Sequence, residues 1–184
     1  ELKNIKMVSM ILIGLGSNLT TPQYNSSKKI LEAAIEQLAN YQVEIIAVSN
    51  FYQTEPVPKS DQPWFVNAVI SVKTSHEALE LLKILHEIEL NLGRTRRQRW
   101  EARIIDLDLL SYNDEIFPDQ ETWLKKSKEI MSDQPVIPHG RMHERDFVLI
   151  PLCDIHKEWQ HPVLHKTAQN LLNEHSGNAI VRLL

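Results

Sequence analysis

The chain has 184 residues, of which 42% are hydrophobic, enough for one well-packed core and few for two domains. We therefore expect residues 1–184 to form a single domain. The formal net charge of −4 argues against a nucleic-acid-binding protein, because a phosphate backbone recruits a broad basic surface. The sequence has no apolar run of the roughly 18 residues that a membrane-spanning helix needs, so we expect no membrane association.

The N-terminus and the cysteine content bear on location. The single cysteine, Cys153, cannot form an internal disulfide, which favours the cytoplasm. The apolar stretch 7–15 resembles a signal-peptide core, but no small-residue cleavage pattern follows it, and we interpret it as part of a buried strand. Because the chain begins at Glu1 and not at methionine, we expect it to be trimmed or cut from a longer polypeptide.

Hydrophobic periodicity predicts strands that alternate with helices. The predicted strands cover residues 10–15, 43–52, 64–73, 105–110 and 180–184. The predicted helices cover residues 26–41, 74–92, 121–131 and the stretch from 148 onward, including 168–172.

Several local signals refine this assignment. The spacing of Thr74 and Glu77 is that of a capping box and predicts the start of the second helix, which Gly93 would end. Residues 14–18, Gly-Leu-Gly-Ser-Asn, favour a tight turn over a phosphate-binding loop, because the Gly-Lys-Ser/Thr ending is missing. The proline-rich loop 54–63 is either a plain connection or a mobile lid. The polar stretch 113–134 is predicted to be a surface insertion without a function.

The stretch 92–110 places a cluster of arginines directly before two aspartates. The strand period of two directs Asp106 and Asp108 to one face, where neighbouring carboxylates need a cation to offset their repulsion. Oxygen ligands of this kind suit Mg²⁺, and arginine forks match phosphate oxygens. Together they indicate phosphoryl transfer from ATP. The alternative is that both aspartates form only salt bridges with nearby arginines.

Three other features are candidates for binding. Glu89 borders the buried stripe of the second helix and either pairs with an arginine or contacts a ligand. Asn67 follows Phe65 on one face of a strand. Its amide either recognises a polar heterocycle or makes only structural hydrogen bonds within the protein. Residues 139–145 concentrate histidine and arginine beside a proline-fixed turn, with more potential cations than a loop needs for solubility.

Residues 99–110, Arg-Trp-Glu-Ala-Arg-Ile-Ile-Asp-Leu-Asp-Leu-Leu, resemble the signature of the 6-hydroxymethyl-7,8-dihydropterin pyrophosphokinase family. The resemblance continues in order through the motifs at 16–18, 51–54, 65–68, 88–94 and 138–147. It implies a ferredoxin-like α+β fold, with an antiparallel β-sheet and helices packed on both faces. It also implies transfer of pyrophosphate from ATP to the hydroxymethyl group of 6-hydroxymethyl-7,8-dihydropterin, a step of folate biosynthesis that leaves AMP.

The same resemblance implies roles for individual residues. Asp106 and Asp108 would bind two Mg²⁺ ions and would act in catalysis together with Arg94 and Arg103. The implied ATP-binding residues are Glu89, Arg94, Arg96, Trp100, Arg103, Leu109, His139 and Arg145. The implied substrate-binding residues are Thr54, Val57, Phe65, Asn67, Asp106 and Phe147, of which the two phenylalanines would sandwich the pterin. The loops 16–22, 54–63 and 94–101 would close over bound ATP.

The chain departs from the family pattern at three places. Glu101 stands where a small residue is usual, Gly140 stands where a larger one is common, and segment 118–134 is longer than in compact members. None of these changes removes a metal ligand or a pterin contact. We expect small-molecule partners and a monomer, either alone or fused to another folate-pathway enzyme. The alternative functions are another nucleotide-handling enzyme, such as a cyclase or nucleotidyl transferase, and an RNA-binding module.

Overall fold

The computed structural model describes residues 10–94, 103–129, 134–175 and 180–184. The strands in these ranges are β1 (Ile11–Ser17), β2 (Glu44–Val48), β3 (Tyr52–Thr54), β4 (Phe65–Lys73), β5 (Asp106–Tyr112) and β6 (Val181–Leu183). The helices are α1 (Ser27–Asn40), α2 (Ala78–Asn91), α3 (Gln120–Lys126), α4 (Asp146–His156) and α5 (Ala168–Glu174), with a 3₁₀ turn at Met142–Glu144. Over the described ranges, each helix is too short or too polar to cross a bilayer.

The strands form one antiparallel sheet in the order β5-β1-β4-β3-β6, and β2 also pairs with β4. The succession β1-α1-β2/β3-β4-α2-β5, with β2 and β3 counted as one divided strand, is the βαββαβ arrangement of ferredoxin-like folds. Helices α1 and α2 cover one face, and α4 and α5 cover the other. The predicted α+β fold with an antiparallel sheet and helices on both faces is therefore confirmed.

Alternation along the central strand β1 builds a core on each side of the sheet. Ile11, Ile13 and Leu15 pack with the apolar stripes of α1 and α2, as the period of a strand requires. Leu12 points the other way and packs with Val148 of α4. The side chains of β5 divide in the same manner, so Asp106 and Asp108 share a face with the second core.

Two strand predictions are wrong in their bounds. The turn predicted at 14–18 is absent, because β1 continues to Ser17 and pairs with β4 and β5 on its two sides. The strand predicted over 43–52 is divided into β2 and β3 at Ser49. There the Ser49 backbone N–H donates to Val69 O, and its hydroxyl oxygen accepts from Val69 N, both at 2.9 Å. A serine side chain thus replaces one ladder contact and shifts the strand.

The helix boundaries show which capping signals act. The sequence offers Ser26 or Ser27 as the cap of α1, and the structure selects Ser26, whose Oγ accepts from Lys29 N. The predicted capping box is wrong, because α2 begins at Ala78 after Glu77, and the Glu77 side chain makes no capping bond. Thr74 instead accepts from His76 N within the preceding turn. Gly93 ends α2 at a φ of +94°, as predicted, because glycine tolerates this left-handed conformation.

The C-terminal third follows its predicted order with one shorter helix. The helix predicted over 121–131 is α3, which ends at Lys126, and Met131 lies outside the described residues. The helical stretch predicted from 148 onward corresponds to α4 and α5. The last strand, β6, pairs with β3 at the edge of the sheet, as expected for residues 180–184.

Candidate active site

The centre of the site is a glycine trough, Gly14 and Gly16 of β1, between two strands that carry polar side chains. Gly16 lies opposite Asp106 on β5 and opposite Asn67 on β4, and Gly14 lies opposite Asp108. A Cβ atom at Gly16 would come within 2.8 Å of Asn67 Oδ1, so the amide occupies the space that a side chain would take. Glycine within a strand often marks such a close approach.

Asp106 is held by two arginines. Arg94 Nη1 lies 2.8 Å from its Oδ1, and Arg103 Nη1 lies 2.5 Å from its Oδ2. Both carboxylate oxygens therefore face a guanidinium group. This is the salt-bridge arrangement that the sequence left open, and the same guanidinium groups are chemically suited to phosphate oxygens.

Glu89 joins this network from α2. Its side chain is 2% exposed, pairs with Arg94 and accepts from Leu107 N at 2.7 Å. Burial raises the pKa of Glu89 to about 7, against the Leu107 hydrogen bond and the charge of Arg94, which lower it. Of the two roles left open for Glu89, the arginine pair is confirmed, and the ATP contact stays a prediction.

Asp108 faces a second set of basic side chains, His139 and Arg145, which are carried by residues 138–145, here called the clamp. His139 Nε2 lies 4.0 Å and Arg145 Nη1 lies 3.9 Å from Asp108 Oδ2. Burial and the charge of Asp108 raise the pKa of Asp106. Burial acts in the same direction on Asp108, but the charges of His139 in its protonated form, of Arg145 and of Arg103 outweigh it and lower the pKa of Asp108. Both distances are longer than a direct hydrogen bond, so His139 and Arg145 hold Asp108 less tightly than the arginines hold Asp106.

The hydrogen bonds of His139 fix the orientation of its ring. Its Nδ1 accepts from Arg141 N at 3.2 Å, so the neutral imidazole carries its proton on Nε2, toward Asp108. Burial lowers the pKa of His139 to about 4, which keeps the ring neutral at pH 7. The backbone N–H of His139 donates to Leu110 O at 2.8 Å and ties the clamp to β5.

An aromatic and amide pocket lies along β4 on the other side of the glycine trough. Asn67 Nδ2 donates to Thr54 Oγ1, and both side chains are buried. Phe65 precedes Asn67 by two residues and is half-buried on the same face of β4. Phe147 begins α4, with the Arg145 guanidinium 5.5 Å from its ring centroid. Val57, predicted to contact the substrate through its backbone, is exposed on the loop after β3.

Other predicted residues fall away from this face or outside the described ranges. The Leu109 side chain points into the core beneath α1 and α2, opposite to Asp108. Arg96, Trp100 and Glu101 belong to residues 95–102, outside the described part of the chain. Their predicted roles stay predictions.

The sequence analysis missed the role of Asn18, which is 3% exposed. We expected a bond to its own turn, but its Oδ1 accepts from Arg103 N at 2.6 Å. Its Nδ2 donates to Pro63 O and to Gln62 Oε1, at 3.0 and 3.2 Å. Asn18 therefore joins the end of β1 to two loops that are distant in sequence. The Gly-Ser-Asn motif was visible, but its long-range partners were not.

The fold and the site together define an α+β enzyme of the phosphoryl-transfer class, with paired carboxylates set among arginines. Comparison with known proteins specifies the family. Residues 12–157 match the family model described as 7,8-dihydro-6-hydroxymethylpterin-pyrophosphokinase (HPPK). The chain belongs to this family, as the resemblance at residues 99–110 predicted.

Similar proteins support the same assignment. The chain is 40% identical over 145 residues to the 2-amino-4-hydroxy-6-hydroxymethyldihydropteridine pyrophosphokinase of Haemophilus influenzae. The aligned residues make up 78% of this chain and 79% of that protein. It is 37% identical over 150 residues to the enzyme of the same name from Bacillus subtilis, 81% of this chain and 79% of that one.

The fold also matches solved structures. The wild-type HPPK-DHPS of Plasmodium falciparum aligns with a TM-score of 0.67 and 20% identity, over 90% of this chain and 43% of that one. This chain thus spans less than half of that longer protein, and the likeness concerns the fold.

Proposed function

We propose that this chain carries out the reaction for which its curated relatives are named, through the residues around the glycine trough. It is an ATP-dependent pyrophosphokinase that transfers pyrophosphate to 6-hydroxymethyl-7,8-dihydropterin, a step of folate biosynthesis. The observation that carries the residue assignment is the placement of Asp106 and Asp108 on one strand face, between two sets of cations and beside an amide pocket.

The carboxylate pair fits two Mg²⁺ ions. Mg²⁺ is commonly bound through one or two carboxylates, with phosphate oxygens and water completing its coordination. In the described ranges, histidine, cysteine and acidic side chains form no group of three or more that could hold a metal, so Asp106 and Asp108 would need phosphate and water as further ligands. When bound, the metal would neutralise phosphate charge and activate the attacking hydroxyl.

The arginines have two successive partners in this proposal. Before ATP binds, Arg94 and Arg103 compensate Asp106. With the charge of Asp106 offset by bound Mg²⁺, both guanidinium groups would be available to bind the triphosphate. His139 and Arg145 would contact the phosphates from the side of Asp108, to which neither makes a direct hydrogen bond. Arg96, Trp100, Glu89 and Leu109 remain predicted ATP contacts.

The pterin occupies the pocket beside Gly16 in our proposal. The Asn67 amide and groups around Thr54 and Val57 bond its polar edge, and Phe65 and Phe147 contact its two faces. Asp106, across the trough from Asn67, adjoins the hydroxymethyl end. The pterin hydroxyl oxygen forms a bond to the β-phosphorus of ATP, the bond from that phosphorus to the α,β-bridging oxygen breaks, and AMP leaves. Positioning and fixed charges supply most of the acceleration.

The two aspartates give the sharpest test of the site. Asp106→Asn and Asp108→Asn each remove a carboxylate charge and keep the shape of the side chain, so each should lower kcat by roughly 10²- to 10³-fold or more. Asp114→Asn, at an exposed position just beyond β5, is the matched control and should keep wild-type activity. AMP release is measured with ATP, Mg²⁺ and the pterin. Wild-type turnover by both site variants would refute the metal role.

We also propose that the chain is a monomeric single domain that acts in the cytoplasm. The two cores share one sheet, which favours one folding unit. The half-buried Cys153 is a free thiol, in keeping with a reducing compartment. Fusion to another folate-pathway enzyme is compatible with the longer Plasmodium falciparum protein. Sedimentation of the purified chain at micromolar concentration tests the monomer, and a dimer mass would refute it.

A further inference from the structure

The segment between β5 and the clamp packs on the clamp and is more than a surface insertion. Phe117 and Ile137 form a bridge, with hydrogen bonds of 2.8 and 3.1 Å between their backbones, that closes the segment at its base. The structure describes residues 117–129 and 134–137 of this segment, including α3. The expectation of a plain surface insertion is wrong for Trp123 of α3, whose side chain is 1% exposed.

Trp123 contacts the clamp at its start and in its middle. Its indole Nε1–H donates to Pro138 O at 2.6 Å, directly before His139. Its ring centroid lies 5.8 Å from that of His143 in the 3₁₀ turn between His139 and Arg145. A single buried side chain therefore bonds to the backbone at the start of the stretch that carries His139 and Arg145, and packs on a side chain in its middle.

The other side of Trp123 rests on the C-terminal region. Its ring lies 5.1 Å from that of His161 in an edge-on arrangement, and Trp159 lies 5.6 Å from His161. His161 Nδ1 accepts from the N–H groups of Val163 and Leu164, which fixes this ring. Trp123 therefore packs between this aromatic cluster and the clamp.

A second contact occurs at Gly140, one of the departures from the family pattern. A Cβ atom at this position would lie 3.2 Å from Val136 Cγ2 and 3.5 Å from Ser127 Cα. A side chain at 140 would therefore press on the Val136 side chain and come into ordinary contact with the backbone after α3. The segment between β5 and the clamp therefore packs closely against Gly140, and this contact also supports the clamp.

We propose that Trp123 is a positioning residue that sets His139 and Arg145 at their distances from Asp108. This inference rests on the proposed function, because it assigns the clamp to the phosphates of ATP. Trp123 itself contacts no reacting group. Phe65 and Asn67, on the pterin side, lie on β4, whereas the clamp follows β5 and α3. The loss of Trp123 should therefore act mainly on ATP and on turnover, and should change pterin binding less, because only Phe147 among the proposed pterin contacts adjoins the clamp.

The test compares Trp123→Phe with Trp159→Phe. Trp123→Phe removes the hydrogen bond to Pro138 O and keeps an aromatic ring. Trp159→Phe makes the same change in the same cluster, at a residue whose ring packs on His161. Trp123→Phe should raise the KM for ATP or lower kcat by about five- to a hundredfold, since small misplacements of charged groups are costly. Trp159→Phe should change both by less than about twofold. In Trp123→Phe the Kd for the pterin should change by a smaller factor than the KM for ATP or kcat, because Phe65 and Asn67 lie on β4.

Equal kinetic changes in the two variants, or none in Trp123→Phe, would overturn the proposal. If Trp123→Phe does not fold, Gly140→Ala takes its place, because the added methyl group would press on the Val136 side chain. An unchanged KM for ATP and an unchanged kcat in Gly140→Ala would then count against the proposal. A wild-type protein that releases no AMP would instead refute the proposed function, so the two failures are distinguishable.

Discussion

Replacing Gly16 by alanine should selectively weaken pterin binding. The new Cβ atom would lie 2.8 Å from Asn67 Oδ1, so the amide must retreat by roughly 0.5 Å or more to reach ordinary contact. The amide is buried and tied to Thr54, which resists this movement. Overpacking of this kind typically destabilises a fold by about 1–3 kcal/mol.

The effect on activity follows from the contacts that a displaced amide would lose. A polar contact that is lost or left unpaired costs about 1–3 kcal/mol, which corresponds to roughly 5- to 150-fold in the KM for the pterin. The KM for ATP should stay within about twofold, because the arginines and the clamp lie on other strands and loops. Steady-state kinetics with each substrate varied separately, together with pterin fluorescence titration, measures both quantities.

Gly14→Ala is the matched control for this prediction. The same methyl group on the same face of β1 would lie 3.3 Å from Leu110 Cδ2, the end of a flexible side chain that can move aside. Its effect on the KM for the pterin should therefore be smaller than that of Gly16→Ala. An unchanged pterin KM in Gly16→Ala, or equal changes in the two variants, would refute the assignment of Asn67 to the pterin.

Two other substitutions test the support of the site. Asn18→Ala removes the acceptor for Arg103 N and the donor to Pro63 O. Urea unfolding should show a loss of about 1–3 kcal/mol in the free energy of unfolding, and kcat/KM should fall. Unchanged stability would contradict the role of Asn18. Burial lowers the pKa of His161 to about 3, so between pH 3 and 6.5 the unfolded chain binds the proton more readily, and stability is lost as the pH falls. The stability advantage of the wild type over His161→Gln should shrink by about 1.4 kcal/mol per pH unit below 6.5 in urea titrations, and a constant difference would show that His161 is not buried as a neutral ring.

The sequence allowed much of the fold to be predicted because most strands and helices carry the period of their structure. Asp106 and Asp108 alternate with leucines, and this alone placed both carboxylates on one face. Position-specific signals were less reliable. Thr74 and Glu77 have the spacing of a capping box, but the helix begins one residue after Glu77, because Thr74 bonds within the preceding turn.

The parts of the site that could not be predicted depend on long-range contacts. Gly14 and Gly16 suggested a turn, and only their pairing with two strands shows that they form a trough. Asn18 bonds to Arg103, 85 residues away in sequence, which no local pattern encodes. Trp123 lies in a polar stretch, and its burial depends on His143 and His161 from other segments.

The most direct test of the central claim is the identity of the reaction products, followed by ³¹P NMR. Purified protein with ATP, Mg²⁺ and 6-hydroxymethyl-7,8-dihydropterin should give AMP and a pterin diphosphate in equal amounts, and both signals should disappear in Asp106→Asn. Release of ADP with a pterin monophosphate, or of free pyrophosphate without a pterin product, would contradict transfer of the pyrophosphoryl group.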